Sequence, residues 1–340
     1  MEDNFSPIQL NLFFIFFIFF SLFFYFFSII LIILIYKYIT RILLIIYFLF
    51  SGDNIKVYYE CGPCFLRQAK EAIDLSTDDE ELKFKLIQDI LSYLGENFSK
   101  ELSSNATGTR IHQYIKKETG CYDPYYNQKK EGNEIALSLV PKVREILKED
   151  DSLETYVKIA IVGNILDFGT FGLDTDFESM IYEGLQKELV INKIDEFEEA
   201  LRKYDKVLYL VDNTGEIVFD KFLLEKIKEY DVDITVAVKE RPILNDACMK
   251  EALEAGLDEV ATLITTGSDS VGVVESMISD EFKEILLDSP FVISKGMGNF
   301  EGLTEMNLEG QDIFVLLCTK CSSISKELGL EVGSHILTTL

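Results

Sequence analysis

Four short stretches place carboxylates, amides, hydroxyls and glycines directly after apolar runs, where the residue types suit ion and phosphate chemistry. Asp212-Asn213-Thr214-Gly215-Glu216 follows Val207–Val211. Asp and Asn offer hard oxygen donors of the kind Mg²⁺ or Mn²⁺ takes. The glycine permits a sharp turn into a helix whose first N–H groups attract an anion. Arg241-Pro242-Ile243-Leu244-Asn245-Asp246 follows Ile234–Val238 and brings a second amide–carboxylate pair. Thr265-Thr266-Gly267-Ser268 follows Val260–Ile264. Ser294-Lys295-Gly296-Met297-Gly298-Asn299-Phe300-Glu301 closes the run from Phe291, and a lysine beside glycines suits a phosphate oxygen. Upstream, Gly163-Asn164-Ile165-Leu166-Asp167-Phe168-Gly169 ends a helical pattern with two further polar side chains. Singly, each stretch is ordinary turn chemistry, since Asp–Asn is most often a cap or an Asx turn. Four in succession are hard to explain as capping alone.

The elements that must position them read as two patterns. From Cys61 to about Asp150 the spacing is helical, as in Leu82, Leu86, Ile87, Ile90, Leu91, Leu94 and Phe98. Thr77 with Glu80 reads as a capping-box start for that helix. A shorter helix carrying Ile111, Tyr114 and Ile115 ends at Gly120, and a long one carries Ile135 to Leu147. A helix through Val157 to Val162 follows, then two more around Phe177–Leu189 and Asp195–Tyr204. After Tyr204 short apolar runs alternate with helices, and Ile313–Leu317 adds a fifth strand. Such alternation predicts right-handed βαβ units in a three-layer α/β/α Rossmann-like sheet, preceded by an all-helical subdomain. Ligands of such sheets bind beyond the carboxyl ends of the strands, where all four stretches lie. The expected division is a hydrophobic segment over 1–55, a helical subdomain over 56–150 and a catalytic α/β domain over 151–340.

Composition narrows the partners. The chain has 340 residues and a net charge of −26, and the two acids and two bases of the first fifty residues cancel. The rest therefore repels nucleic-acid phosphates and anionic lipid. No nucleic acid is expected, and a phosphorylated substrate needs a cation in its site. Residues 12–36 hold no charge and as a helix would cross a hydrocarbon core of roughly 30 Å. With Lys37 and Arg41 behind them, a membrane anchor would leave the remainder on the cytoplasmic side. The other reading of this segment is upstream sequence joined to the true start. Six cysteines include the pairs Cys61/Cys64 and Cys318/Cys321. Four thiolates suit a structural zinc, one pair suits redox chemistry, and reduced thiols at a domain seam need neither. His112 and His335 lack metal-ligand spacing and are given no role.

Gly-Asn-Ile-Leu-Asp-Phe-Gly at 163–169, Val-Asp-Asn-Thr-Gly-Glu at 211–216, Arg-Pro-Ile-Leu-Asn-Asp-Ala at 241–247 and Lys-Gly-Met-Gly-Asn-Phe-Glu at 295–301 resemble the signature blocks of the damage-control phosphatases. They occur in the family's order, and the resemblance spans about Lys56 to Leu337; the Cys61-Gly-Pro-Cys64 start resembles the prokaryotic branch. The apolar first fifty residues have no counterpart in that pattern. The resemblance implies a divalent metal (Mn²⁺, Co²⁺, Ni²⁺ or Mg²⁺) held by Asp212, Asn213 and Asp246. It also implies phosphate contact by Lys295, and Asn164 and Asp167 on the substrate side. Glu216, Asn245, Gly267, Ser268, Asn299 and Glu301 are the remaining candidates for substrate binding. The expected reaction is hydrolysis of small phosphorylated metabolites, sugar phosphates or damaged phosphometabolites, by a metal-activated water. Haloacid-dehalogenase phosphatases form an aspartyl-phosphate but carry a second Asp two residues on; here Thr214 stands there, which disfavours that route.

Two other classes stay open at this point. A methyl-donor-dependent carboxyl methyltransferase would use a similar sheet, although Asp-Asn-Thr-Gly-Glu has one glycine where a dinucleotide-type turn has three. A non-enzymatic, membrane-tethered zinc protein would use the cysteines, but it leaves the hard-oxygen set without purpose.

Overall fold

The computed structural model describes residues 57–165 and 176–340, so the apolar segment 12–36 and Asp167 lie outside the described residues. Among the described residues no helix is long and apolar enough to cross a membrane, and the anchor gains no support there.

Six helices come first: α1 (Cys61–Ser76), α2 (Glu80–Asn97), α3 (Ser104–Thr119), α4 (Tyr126–Glu149), α5 (Leu153–Ile165) and α6 (Phe177–Gln186). Strands and helices then alternate: β1 (Leu189–Asn192), α7 (Ile194–Lys203), β2 (Lys206–Leu210), α8 (Glu216–Ile227), β3 (Asp233–Val238), α9 (Met249–Glu254) and β4 (Thr262–Thr265). The series ends with α10 (Asp280–Asp288), β5 (Phe291–Lys295), α11 (Gly296–Thr304), β6 (Asp312–Cys318), α12 (Ser322–Glu327) and β7 (His335–Thr339).

The seven strands form one sheet in the order β1-β7-β6-β5-β2-β3-β4. Strands β2 to β6 run parallel, while β7 pairs antiparallel with β6 and parallel with β1. The sheet is therefore mixed, and two of its strands were not legible as such. Leu189–Asn192 was read partly as a helix end, and the His335–Thr339 run carries polar residues. Chain order reverses between β2 and β5: from β2 the chain builds outward through β3 and β4, then returns to β5 and builds the other way. That switch point opens a crevice at the carboxyl ends of β2 and β5.

Alternation along the strands feeds two cores. Val207, Tyr209 and Val211 face one set with Val236, Ile293 and Phe314, covered by helices that include α4, α5, α7 and α8. Leu208, Leu210, Ala237, Val292 and Ile313 face the other, closed by Phe282 and Leu286 of α10 and Leu303 of α11. Strands buried on both faces need the near-continuous apolar runs seen in the sequence. Helices α1, α2 and α3 share a third core around Phe65, Ile73, Leu86, Ile90, Ile111 and Ile115. Ala136, Leu139, Val143 and Leu147 of α4 pack on the sheet instead. The N-cap of α2 is Asp79, whose side chain accepts from the backbone N–H of Glu81 at 3.0 Å and Leu82 at 3.1 Å. Thr77, expected there, accepts from Asp79 N–H instead, because the carboxylate one residue before the helix is better placed.

Helix α3 stitches the small core to the strand-end loops. Asn105 donates to Gly298 O at 2.7 Å, Thr109 Oγ1 accepts from Val271 N–H at 2.9 Å, and Gln113 donates to Asp269 at 2.8 Å. Lys116 donates to Pro242 O at 2.6 Å and Asp269 at 2.8 Å. One helix thereby fixes the loops after β3 and β4 and the first turn of α11. Lys116→Met is expected to lower unfolding free energy by roughly 1–3 kcal/mol in urea titration, since it takes the donor from Pro242 O and one of three partners from Asp269. A variant as stable as wild type would show that the stitching does not hold the loops.

Candidate active site

Strand register alone centres the site on Asp212. Leu210 lies opposite Ser294 on β5 and Ala237 on β3. Two residues further on, Asp212 therefore falls between Gly296 and Lys239. A Cβ on Gly296 would stand 1.9 Å from Asp212 Oδ2, and its φ is +78°, so only glycine fits. The loop after β3 then folds back against the loop after β2. Thr214 N–H donates to Asn245 O at 2.8 Å, Ala247 N–H donates to Asp212 O at 2.9 Å, and Asn213 bridges Asp246 antiparallel. Leu244 holds a φ of 46°, a strained conformation for a branched side chain, just before the residues it delivers. Asp212, Asn213 and Asp246, separated by more than thirty positions in the chain, meet through these bonds.

The charges there are unbalanced. Burial, followed by repulsion from Glu216 and Asp246, pushes the Asp212 carboxyl up to about 8, against the pull of Lys320 and Lys239. Burial pushes Asp246 to about 6, with Lys239 opposing. Asp246 is 4% exposed, and among the described residues its Oδ2 finds no hydrogen-bond donor, with Lys239 Nζ 3.6 Å away. An orphaned buried carboxylate oxygen beside a second carboxylate fits a missing divalent cation. Among the described residues no three Asp, Glu, His or Cys side chains converge as a metal cluster. A cation held here would take two carboxylates and one amide, with the remaining positions left to water and substrate.

Lys295 does not face the cleft. Its Nζ donates to Glu216 Oε1 at 2.7 Å, to Ala160 O at 2.9 Å and to Asp220, which spends all three of its hydrogens. The phosphate contact expected of it is corrected: it is fully buried beneath the site. Burial works against the charge of Glu216, yet Lys295 holds that carboxyl below its usual range. Glu216 in turn accepts from Asn164 Nδ2 at 2.6 Å and Asn213 Nδ2 at 3.0 Å, and both amides also reach Asp212 Oδ2. Glu216 thus lies under the site and not on its substrate side. The N–H groups at the start of α8 are likewise engaged: Asn213 N–H on Glu216, Thr214 N–H on Asn245 and Gly215 N–H on Asn133 Oδ1. The anion-binding turn read from the sequence is closed by these bonds.

Other candidates sort by what they touch. Asn299 donates to Val211 O and Lys295 O, both at 2.9 Å, tying α11 to the end of β2. Gly267 presses on Ser279, Ser268 Oγ accepts from Ser270 N–H, and Asn245 lends its carbonyl to Thr214. These four hold loops. Glu301 lines a cavity of about 390 Å³ with Cys61, Cys64, Gln68, Ser104 and Cys321; Met297 and Gly298, just past Gly296, complete the wall. Burial, then Glu305, pushes the Glu301 carboxyl to about 7. The four-cysteine zinc reading fails, because Cys318 sits in β6 within the sheet core while the other three line the cavity. Sequence reading missed Lys239, Lys320, Asn133 and Asp220. The two lysines carried a signal, since each stands within two residues of a strand's carboxyl end.

With this geometry in view, comparison with known proteins is decisive. The family described as damage-control phosphatase ARMT1-like domain matches residues 57–336. The chain belongs to that family. It is 38% identical to an uncharacterized protein of Methanocaldococcus jannaschii, across 87% of this chain and 99% of the relative. It is 33% identical to a damage-control phosphatase of Archaeoglobus fulgidus, across 83% and 98%. The crystal structure of a DUF89 family protein from Pyrococcus horikoshii superposes with a TM-score of 0.75 at 32% identity, covering 84% of this chain and 99% of that one. The apolar N-terminal residues precede the part shared with the family.

Two outcomes are expected of this family member. Gly296→Ala should abolish Mn²⁺ binding measured by electron paramagnetic resonance, because the methyl group displaces Asp212; retained binding would refute the packing. Stability of the metal-free chain should fall as pH rises from about 4 to about 8, since over that range folded Asp212 keeps a proton that the unfolded chain has already lost. Added Mn²⁺ should remove that slope in thermal unfolding, and a flat metal-free profile would count against the crowded carboxylates.

Proposed function

We propose that the chain is a metal-dependent phosphatase acting on small phosphorylated metabolites. The observation that carries this reading is the pair of carboxylates at the switch point, Asp212 and Asp246, joined by Asn213 and short of positive charge. Membership of the damage-control phosphatase family and the phosphatase name of the Archaeoglobus fulgidus relative support the same reaction class.

Asp212, Asn213 and Asp246 would hold the cation. Once bound, a divalent cation neutralises phosphoryl oxygens and lowers the pKa of water. Lys320 is exposed at the cleft edge and close enough to oppose the rise at Asp212, so it replaces Lys295 as the lysine able to meet a phosphate. Lys239 donates to Gly272 O at 2.7 Å and places its Nζ 3.6 Å from Asp246 Oδ2. The cavity with Glu301, Ser104 and Gln68 has room and polarity for the organic part of a small substrate, such as a sugar phosphate. Met297 and Gly298, which line the cavity, directly follow Gly296, whose backbone lies against Asp212.

The test is phosphate release from a panel of sugar phosphates by the full chain. Each would be run with Mg²⁺, Mn²⁺, Co²⁺, Ni²⁺ or chelator, beside Asp212→Ala and Lys320→Ala. Metal-dependent release is expected, falling to the no-enzyme rate in Asp212→Ala and showing a raised KM in Lys320→Ala. Folded protein that releases no phosphate with any metal would sink the proposal.

A further inference from the structure

Glu216 occupies an unusual place for the first residue of a helix. It is 1% exposed, and its carboxylate accepts from a lysine, a backbone N–H and two side-chain amides. Lys295 Nζ meets Oε1 at 2.7 Å. Asn164 Nδ2 at 2.6 Å, Asn213 Nδ2 at 3.0 Å and the Asn213 backbone N–H at 3.3 Å meet Oε2. Lys295 is itself clamped by Ala160 O and Asp220, and Asp220 accepts from Tyr209 O–H at 2.8 Å. Tyr209 belongs to the central strand β2. The carboxylate is therefore anchored to the sheet core.

Its chemistry constrains the two amides. A carboxylate only accepts hydrogen bonds, whereas a side-chain amide donates through nitrogen and accepts through oxygen. Asn213 and Asn164 each sit between two such acceptors, Glu216 Oε2 and Asp212 Oδ2, with the second contact at 2.9 and 3.0 Å. Both hydrogens of each Nδ2 are consumed. A flipped amide would set Oδ1 against Glu216 Oε2, on a carboxylate already paired with Lys295, with no proton between them. Oxygen must then be the amide end turned away from Glu216 Oε2 and Asp212 Oδ2.

We infer that Glu216 is a positioning residue: held by Lys295, it locks the Asn213 amide so that Oδ1, not nitrogen, is offered to a cation on Asp212 and Asp246. Asn164 is locked by the same oxygen. The inference rests on the proposed cation site but not on turnover. Both of its measurements therefore stand even if the phosphatase reading fails.

The experiment is Mn²⁺ titration of the full chain followed by electron paramagnetic resonance, comparing wild type, Glu216→Gln and Asp220→Asn, with folding checked by circular dichroism. Glu216→Gln replaces an obligate acceptor with a group that tolerates either amide orientation. It is expected to weaken Mn²⁺ binding by about ten- to a hundredfold, the range for loss of an outer-shell partner. Asp220→Asn removes the same unit of charge from the same lysine while leaving Glu216 in place, and should cost markedly less than Glu216→Gln. Unchanged binding in Glu216→Gln, or equal losses in both variants, would overturn the inference. If Glu216→Gln does not fold, wild-type protein with labelled asparagine decides by nuclear magnetic resonance. Slow solvent exchange of the Asn213 NH₂ group, with a Mg²⁺-induced shift of its carbonyl carbon, is the expected result. Exchange at the rate of an exposed amide would overturn it.

Discussion

Carboxyl groups crowded into one end of a sheet are the constraint that organises this molecule. Asp212, Glu216, Asp220 and Asp246 all lie within the same buried zone, and burial raises the free energy of each ionised form. Lys295 offsets Glu216 and Asp220 directly. Among the described residues no lysine pairs directly with Asp212, and Lys239 approaches Asp246 only at 3.6 Å. The lower pair is thus neutralised by the protein, and the upper pair is left short of positive charge. Selective compensation of this kind separates a supporting layer from a layer able to take a cation.

The topology makes the crowding achievable. Reversal of strand order between β2 and β5 leaves their carboxyl ends without a crossover above them. Asp212 can lie against the backbone of Gly296 there, and the loop after β3 can return to bridge Asn213. Helix α3 then restrains the loops after β3 and β4 and the first turn of α11 from the side of the small helical core. Rigid placement matters because polar groups held off water tolerate little error in geometry.

Much of the fold was legible because both-face burial imposes apolar runs. Val207–Val211, Ile234–Val238 and Phe291–Ser294 gave three strands nearly to the residue. Strands β1 and β7 escaped for a physical reason. They occupy the sheet's far side, where β1 is half exposed and short, and Thr338 and Thr339 break the apolar pattern of β7. The antiparallel direction of β7 was also beyond reach, since it follows from where a connection lands. Helix ends did better when a single residue governs them, as with Gly120 in its left-handed conformation closing α3.

Residue types along the chain determined which stretches bring carboxylates and amides together, and that they lie at the carboxyl ends of parallel strands. Those follow from local chemistry and from the periodicity that burial enforces. Which side chain faces the cleft was decided only by the tertiary structure. Lys295 looked like a phosphate ligand because a lysine beside glycines suits one, yet two acids from α8 claim it from below. Cys318 looked paired with Cys321, but a strand separates it into the core. Such outcomes depend on contacts between residues far apart in sequence, where the strongest available partner for a buried charge takes it.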